Sequence, residues 1–201
     1  MAADLKIYKV TGPANGKVYT ETTTLNFGTK DIPNPNVPGS AEYAPIARPS
    51  SGFNYSYWLS AALGEQTGQF TDIRNIQVYF QNQPNPDWPL GTGGAKYIGN
   101  RDSGDIGCPQ SEYQQATGVE NETGHYLADA TNGHAYYKNQ TTPVVDWTSM
   151  IGIDNAKMLD SGPYTSAFYS KMAVLQLKVA SDAQSGSFGT WQIVFRCQVV
   201  N

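Results

Sequence analysis

The chain has 201 residues, of which 15% are charged, and a formal net charge of -4. Its 13 Lys and Arg are scattered, which argues against a nucleic-acid partner, since neutralising phosphates takes clustered cations. No basic stretch followed by an apolar run opens the chain, and no apolar run reaches the length of a membrane span, so neither a secretory leader nor a membrane partner is expected.

In chain order, Leu5 to Val10 reads as a first strand, closed by the turn Gly12-Pro13-Ala14-Asn15-Gly16. The Thr-rich, β-branched run Val18 to Phe27 reads as a second. Pro33, Pro35 and Pro38 then exclude helix and ladder pairing, leaving a long, stiff loop over residues 31–39. Tyr55 to Leu63, "YSYWLSAAL", fits a strand or a short helix, and its aromatics favour the strand. Ile73 to Phe80 is a strand with Ile76, Val78 and Phe80 on one face.

A second Pro/Gly-rich loop, Gln83 to Gly94, carries Trp88. Periodicity fails from Arg101 to Ala130, where Ser111 to Gln114 could cap one helical turn. Residues 131–170 are mixed. Met172 to Ala180 is a clear strand, and the loop "SDAQSGSFG" leads from it to a last strand, "TWQIVFRCQVVN". There Trp191, Ile193, Phe195, Cys197 and Val199 alternate with Gln192, Arg196 and Gln198. These last two strands read as an antiparallel hairpin, which would pin the C-terminal strand by main-chain hydrogen bonds. The sum is one all-β domain over residues 1–201: an antiparallel β-sandwich, jelly-roll-like, with long Pro/Gly-rich loops and little helix.

Catalytic constellations are not evident. His125 and His134 each follow a glycine and match no zinc spacing, and Asp129 is the nearest third ligand. No G-x-S-x-G elbow and no phosphate-binding loop occurs. Asp102 to Gly107 resembles a calcium loop only faintly, without its closing Glu, and a plain turn is the simpler reading. Cys108 and Cys197 are read as two reduced thiols of a chain made in the cytosol. The sequons at Asn54, Asn121 and Asn139 carry no weight without a leader. No enzyme activity, metal or cofactor is expected.

The aromatics stand out: 13 Tyr against 7 Phe, with 4 Trp. Tyr43, Trp88, Tyr97, Tyr136, Tyr137 and Tyr164 fall in segments read as loops. Tyr and Trp give large contact area at low entropic cost, so Trp88, Tyr97, Tyr136, Tyr137 and Trp147 are the expected interaction surface. The competing reading is that such rings cover a core beneath long loops.

The order "LNFG" (Leu25–Gly28), a Pro-rich loop, "FNYSYWLSAALGEQTGQFTDIRNIQVYF" (Phe53–Phe80), a Trp/Gly loop and "LQLKVASDAQSGSFGTWQIVFRCQVV" (Leu175–Val200) resembles a loose group of virion structural proteins of tailed bacteriophages. The likeness covers about a third of the chain and is one of strands and turns. Two features depart from that pattern. Ser56-Tyr57 is not followed by a charged pair, and the last strand ends Val-Val-Asn, so the subclass stays open. The resemblance implies a β-sandwich component of a capsid or tail, made in the host cytoplasm and residing in the virion, and the short chain without fibrous repeats favours a capsid decoration or cement protein. Its partners would be the major capsid protein and copies of itself. A tail or neck component is the first alternative. A carbohydrate-binding sandwich is another, with glycans stacked on Trp88, Tyr136 and Trp147. A hydrolase would need two carboxylates brought together by folding.

Overall fold

The computed structural model describes residues 3–81, 90–185 and 191–200. Twelve strands account for the regular structure: β1 (Leu5–Thr11), β2 (Val18–Glu21), β3 (Phe53–Tyr55), β4 (Leu59–Glu65), β5 (Asp72–Gln81), β6 (Ala95–Gly99), β7 (Gly118–Val119), β8 (Thr123–Gly124), β9 (Val144–Asp146), β10 (Lys157–Asp160), β11 (Phe168–Ala180) and β12 (Gln192–Val200). Three short 3-10 turns are the only helical elements among the described residues. The fold is all-β, and every strand pair is antiparallel. A seven-stranded sheet runs β2-β1-β4-β11-β6-β9, with β3 also paired to β11, and a three-stranded sheet runs β10-β5-β12. Strands β7 and β8 form a small ribbon.

The large sheet is covered on both faces. Leu59, Ala61 and Leu63 of β4 and Ala173, Leu175, Leu177 and Val179 of β11 pack with Ile73, Ile76, Val78 and Phe80 of β5, which makes the core between the two sheets. The intervening residues Ala62, Met172 and Val174 point the other way, against Cys108, Tyr113, Ala116, Leu127 and Tyr137. Those partners come from residues 100–140, a largely irregular segment that forms a third layer. A strand buried on both faces shows no alternation. That is why "YSYWLSAAL" does not declare itself: all seven residues of β4 are buried.

One face of β5 depends on an irregularity. Ile73 and Ile76 are three residues apart and could not share a face in a regular strand. Asn75 adopts a positive φ of 54°, and the β5–β12 register slips where Arg196 meets Gln77 and Gln198 meets Arg74. This bulge rephases the strand, so Ile73, Ile76, Val78 and Phe80 are all fully buried or nearly so.

Three sequence readings are corrected. β12 does not pair with β11; it pairs with β5, and the two chain segments face each other across the core. The second strand stops at Glu21, because Thr22 turns its hydroxyl onto the Thr24 carbonyl at 2.6 Å and accepts the Thr24 N–H at 3.0 Å. Such local bonds compete with the ladder. Finally, the turn expected over Ser111–Gln114 is a 3-10 turn at Gln110–Glu112 that follows Pro109 and has no side-chain cap.

The Pro-rich loop is fixed in place. Lys9, on β1, is 5% exposed and donates to the carbonyls of Asn26 (3.3 Å), Ile32 (2.7 Å) and Pro33 (3.0 Å). Burial pulls the Lys9 pKa down to about 8 against the opposing pull of the Asp31 carboxylate. Asp31 in turn accepts from the Gly12 N–H and the Gln115 amide, tying β1, the loop and the third layer together.

Candidate interaction surface

Gln176 lies at the centre of the large sheet, on the face toward the third layer, and is fully buried. Its amide donates to the Ser56 carbonyl at 2.8 Å and to the His125 carbonyl at 2.7 Å, and its oxygen accepts the Leu127 N–H at 2.8 Å. An unpartnered amide there would be costly, so the irregular chain is held wherever Gln176 can bond it. The residue between His125 and Leu127 is Tyr126, and these bonds fix its backbone.

Tyr126 is one of three rings gathered at this place. Tyr97 stands opposite Gln176 in the β11–β6 ladder, and Tyr55 stands opposite Lys178 in the β11–β3 ladder, so all four side chains share one face. Tyr55 stacks on Tyr126 with ring centroids 4.8 Å apart, and Tyr97 leans on Tyr126 at 5.8 Å. All three are half-buried. Burial raises the pKa of each phenol, that of Tyr97 to about 12, and the rings stay neutral at ordinary pH. The result is an apolar, hydroxyl-tipped patch carried by strands and by a pinned loop, with little entropy left to lose on contact.

The five residues expected at an interface divide. Tyr97 joins this trio. Tyr136 is half-buried, with the Arg101 guanidinium 4.4 Å above its ring, so that face is occupied. Tyr137 and Trp147 are corrected: both belong to the core. Tyr137 is 0% exposed and donates to the Ile106 carbonyl at 2.7 Å. Trp147 is 3% exposed and stacks on Phe80 at 4.3 Å between the two sheets. Trp88 lies outside the described residues. Trp147 therefore cannot meet a glycan with Tyr136. The trio offers no flat platform either, since Tyr97 is tilted 52° to Tyr126. Of the other loop tyrosines, Tyr43 is 40% exposed, while Tyr164 stacks on Phe168 and donates to Asp160 at 2.6 Å.

Tyr55 and Tyr126 escaped the sequence reading. Tyr55 sits in a run whose aromatics favour a strand without marking a face, and Tyr126 lies where periodicity fails. The register that unites them is set by β11, over fifty residues downstream.

Several polar groups singled out by the sequence have partners inside the fold. His134 is fully buried, edge-on to Trp58, and its Nδ1 accepts the Tyr136 N–H at 3.3 Å. Burial lowers its pKa to about 4. Asp129 accepts the N–H groups of Thr131 and Asn132 in a local turn, and among the described residues no cluster of His, Cys, Asp and Glu could hold a metal. The Asp102 carboxylate accepts the Thr141 N–H instead of forming a cation loop. Asp105 binds Lys171 Nζ at 2.6 Å and the Ser161 N–H, while Asp160 takes the Lys171 N–H and the Tyr164 hydroxyl. Each of these carboxylates has hydrogen-bond partners within the fold. A crevice beside Lys9, Asp31 and Trp58 has about 10 Å³ of free volume, room for a single water.

Comparison with protein families, with curated proteins and with solved structures finds no match.

Proposed function

We propose that this protein is a virion structural component that decorates an assembled capsid shell, with the Tyr55, Tyr97 and Tyr126 patch as an anchor. The observation that carries the reading is the mounting of that patch. Its rings are set by a buried glutamine and two strand ladders, so a partner meets a surface already in its bound shape. Tyrosine is the residue type that fills interface cores, and the low charge of the chain fits contacts that depend on buried area. The strand-and-turn resemblance to phage virion proteins gives the class of partner, a major capsid protein. A copy that touches two neighbouring subunits gains affinity, because its second contact is intramolecular.

The test is co-sedimentation of the purified protein with shells that lack it, at about 0.1 M and about 1 M salt, since screening weakens exposed ion pairs and spares desolvated contacts. Binding at both salts, and weak binding to unassembled subunits, are expected. The double variant Tyr97→Ala, Tyr126→Ala should lose binding while keeping its strand signal. Binding to isolated tails but not to shells would replace the capsid reading with a tail or neck one.

A further inference from the structure

The edges of the two main sheets are unequal. β2 and β10 have four residues each and β9 has three, and β10 also carries a register slip. Short or irregular edges are how sheets avoid joining others. β12 breaks this pattern. It is a nine-residue edge strand with one charge, Arg196, and five of its residues are exposed, including Val199 and Val200.

Its main-chain groups can be assigned to sides. Ile73 exchanges hydrogen bonds with Tyr164, and the Phe80 carbonyl accepts from Gly152, so both residues of β5 bond away from β12. Their β12 partners are Val199 and Ile193. Residues facing each other in an antiparallel pair bond alike, both inward or both outward. The row Ile193, Phe195, Cys197 and Val199 therefore turns its N–H and C=O groups to the outer edge, where no strand pairs among the described residues. The side chains of Ile193, Phe195 and Cys197 reach the core but are only half-buried, so the sandwich is thinly closed along this side.

We propose that β12 is a dimerisation edge, pairing antiparallel with β12 of a second copy to make one continuous six-stranded sheet. What fits the open edge is a strand with free main-chain groups on one side, an apolar row toward the core and few charges. β12 itself has all three. Two-fold pairing sets one half-buried apolar row beside the other, so each closes its neighbour's open flank. The single charge limits the register: a two-fold axis at Arg196 would oppose two guanidinium groups, whereas axes at Phe195 or at Cys197 keep them apart. This inference is independent of the shell-binding reading.

Sedimentation velocity across about 1 to 300 µM should show a monomer–dimer equilibrium. The double variant Val194→Lys, Val200→Lys sets cations against Arg196 or against each other in either allowed register. It should weaken the dimer roughly tenfold or more with an unchanged circular dichroism spectrum. Hydrogen exchange on the unaltered protein supplies a readout that needs no variant. Amides of Ile193, Phe195, Cys197 and Val199 should be protected at high concentration and exchange faster on dilution. A monomer throughout the range, a dimer indifferent to the lysines, or edge exchange independent of concentration would each overturn the proposal.

Discussion

The ring of Tyr137 lies so close to the backbone of Gly99 that a Cβ on Gly99 would come within 2.5 Å of the ring carbon Cε2. This contact seats the third layer on the large sheet. Gly99→Ala should destabilise the protein by about 1–3 kcal/mol through overpacking, as measured by urea unfolding. Tyr137→Phe, which leaves the buried Ile106 carbonyl without its donor, should cost about 1–2 kcal/mol.

Gln176→Leu is expected to be among the most damaging changes in β11. It fits the volume but strips partners from the Ser56 and His125 carbonyls and from the Leu127 N–H. A loss of roughly 2–5 kcal/mol is expected. Amides of residues 125–127 should also exchange faster than those of the rest of the third layer.

His134 makes stability depend on pH in a defined window. Its folded pKa is depressed from 6.5 to about 4, so below pH 6.5 the unfolded chain takes up a proton that the folded chain refuses. Stability should fall as pH drops from about 6.5 to about 4, by about 3 kcal/mol in all, and no further below that from this group. His134→Gln should show a flatter profile over the same window.

The two thiols should differ in reactivity. Cys108 is fully buried and its pKa is pushed up to about 12, whereas Cys197 is half-buried on β12 with a smaller upward shift. In the native protein a thiol reagent should label Cys197 first, and Cys108 only on unfolding. Equal rates would contradict this placement.

On β12, Phe195→Ala should destabilise by about 2–3 kcal/mol, less than at a sealed core position because the ring is only half-buried. Gln198→Ala loses an exposed hydrogen bond from Asn75 and should stay within about 0.5 kcal/mol. Thermal or urea unfolding of both variants checks the pair.

Where one face of a strand meets solvent, the residues announce it, and β12 is legible from its alternation alone. β4 is legible as an apolar run but not as faces, because both of its sides are covered, whereas the row Leu175, Leu177 and Val179 of β11 is legible and does pack in the core between the sheets. The β5 core row is visible in the sequence from Ile76 onward. Its extension to Ile73 is not, because it needs a left-handed Asn75 that no pattern of hydrophobicity encodes. The third layer was opaque for a different reason. Its backbone bonds to side chains such as Gln176 and Thr29, and such bonds leave no period. Tyr137 reads as surface because it falls in a segment read as a loop, and Trp147 because it lies in a stretch without clear periodicity. What buries them are Gly99 and Phe80, distant in the chain. Tyr97 was found as a ring, but its two companions are assembled by strand register.

The separation between β5 and β12 bears on how the molecule is made. β12 aligns with residues 72–81, over a hundred residues earlier, and until it arrives β5 has only the short β10 beside it. Long-range pairing of this kind is slow, because the closure entropy of the intervening chain is lost before any contact rewards it. During synthesis, Ile73, Ile76, Val78 and Phe80 would stay incompletely covered until residues 192–200 leave the ribosome. Early termination anywhere in the last strand would therefore release a chain with an exposed apolar face, which is a substrate for chaperones and for aggregation.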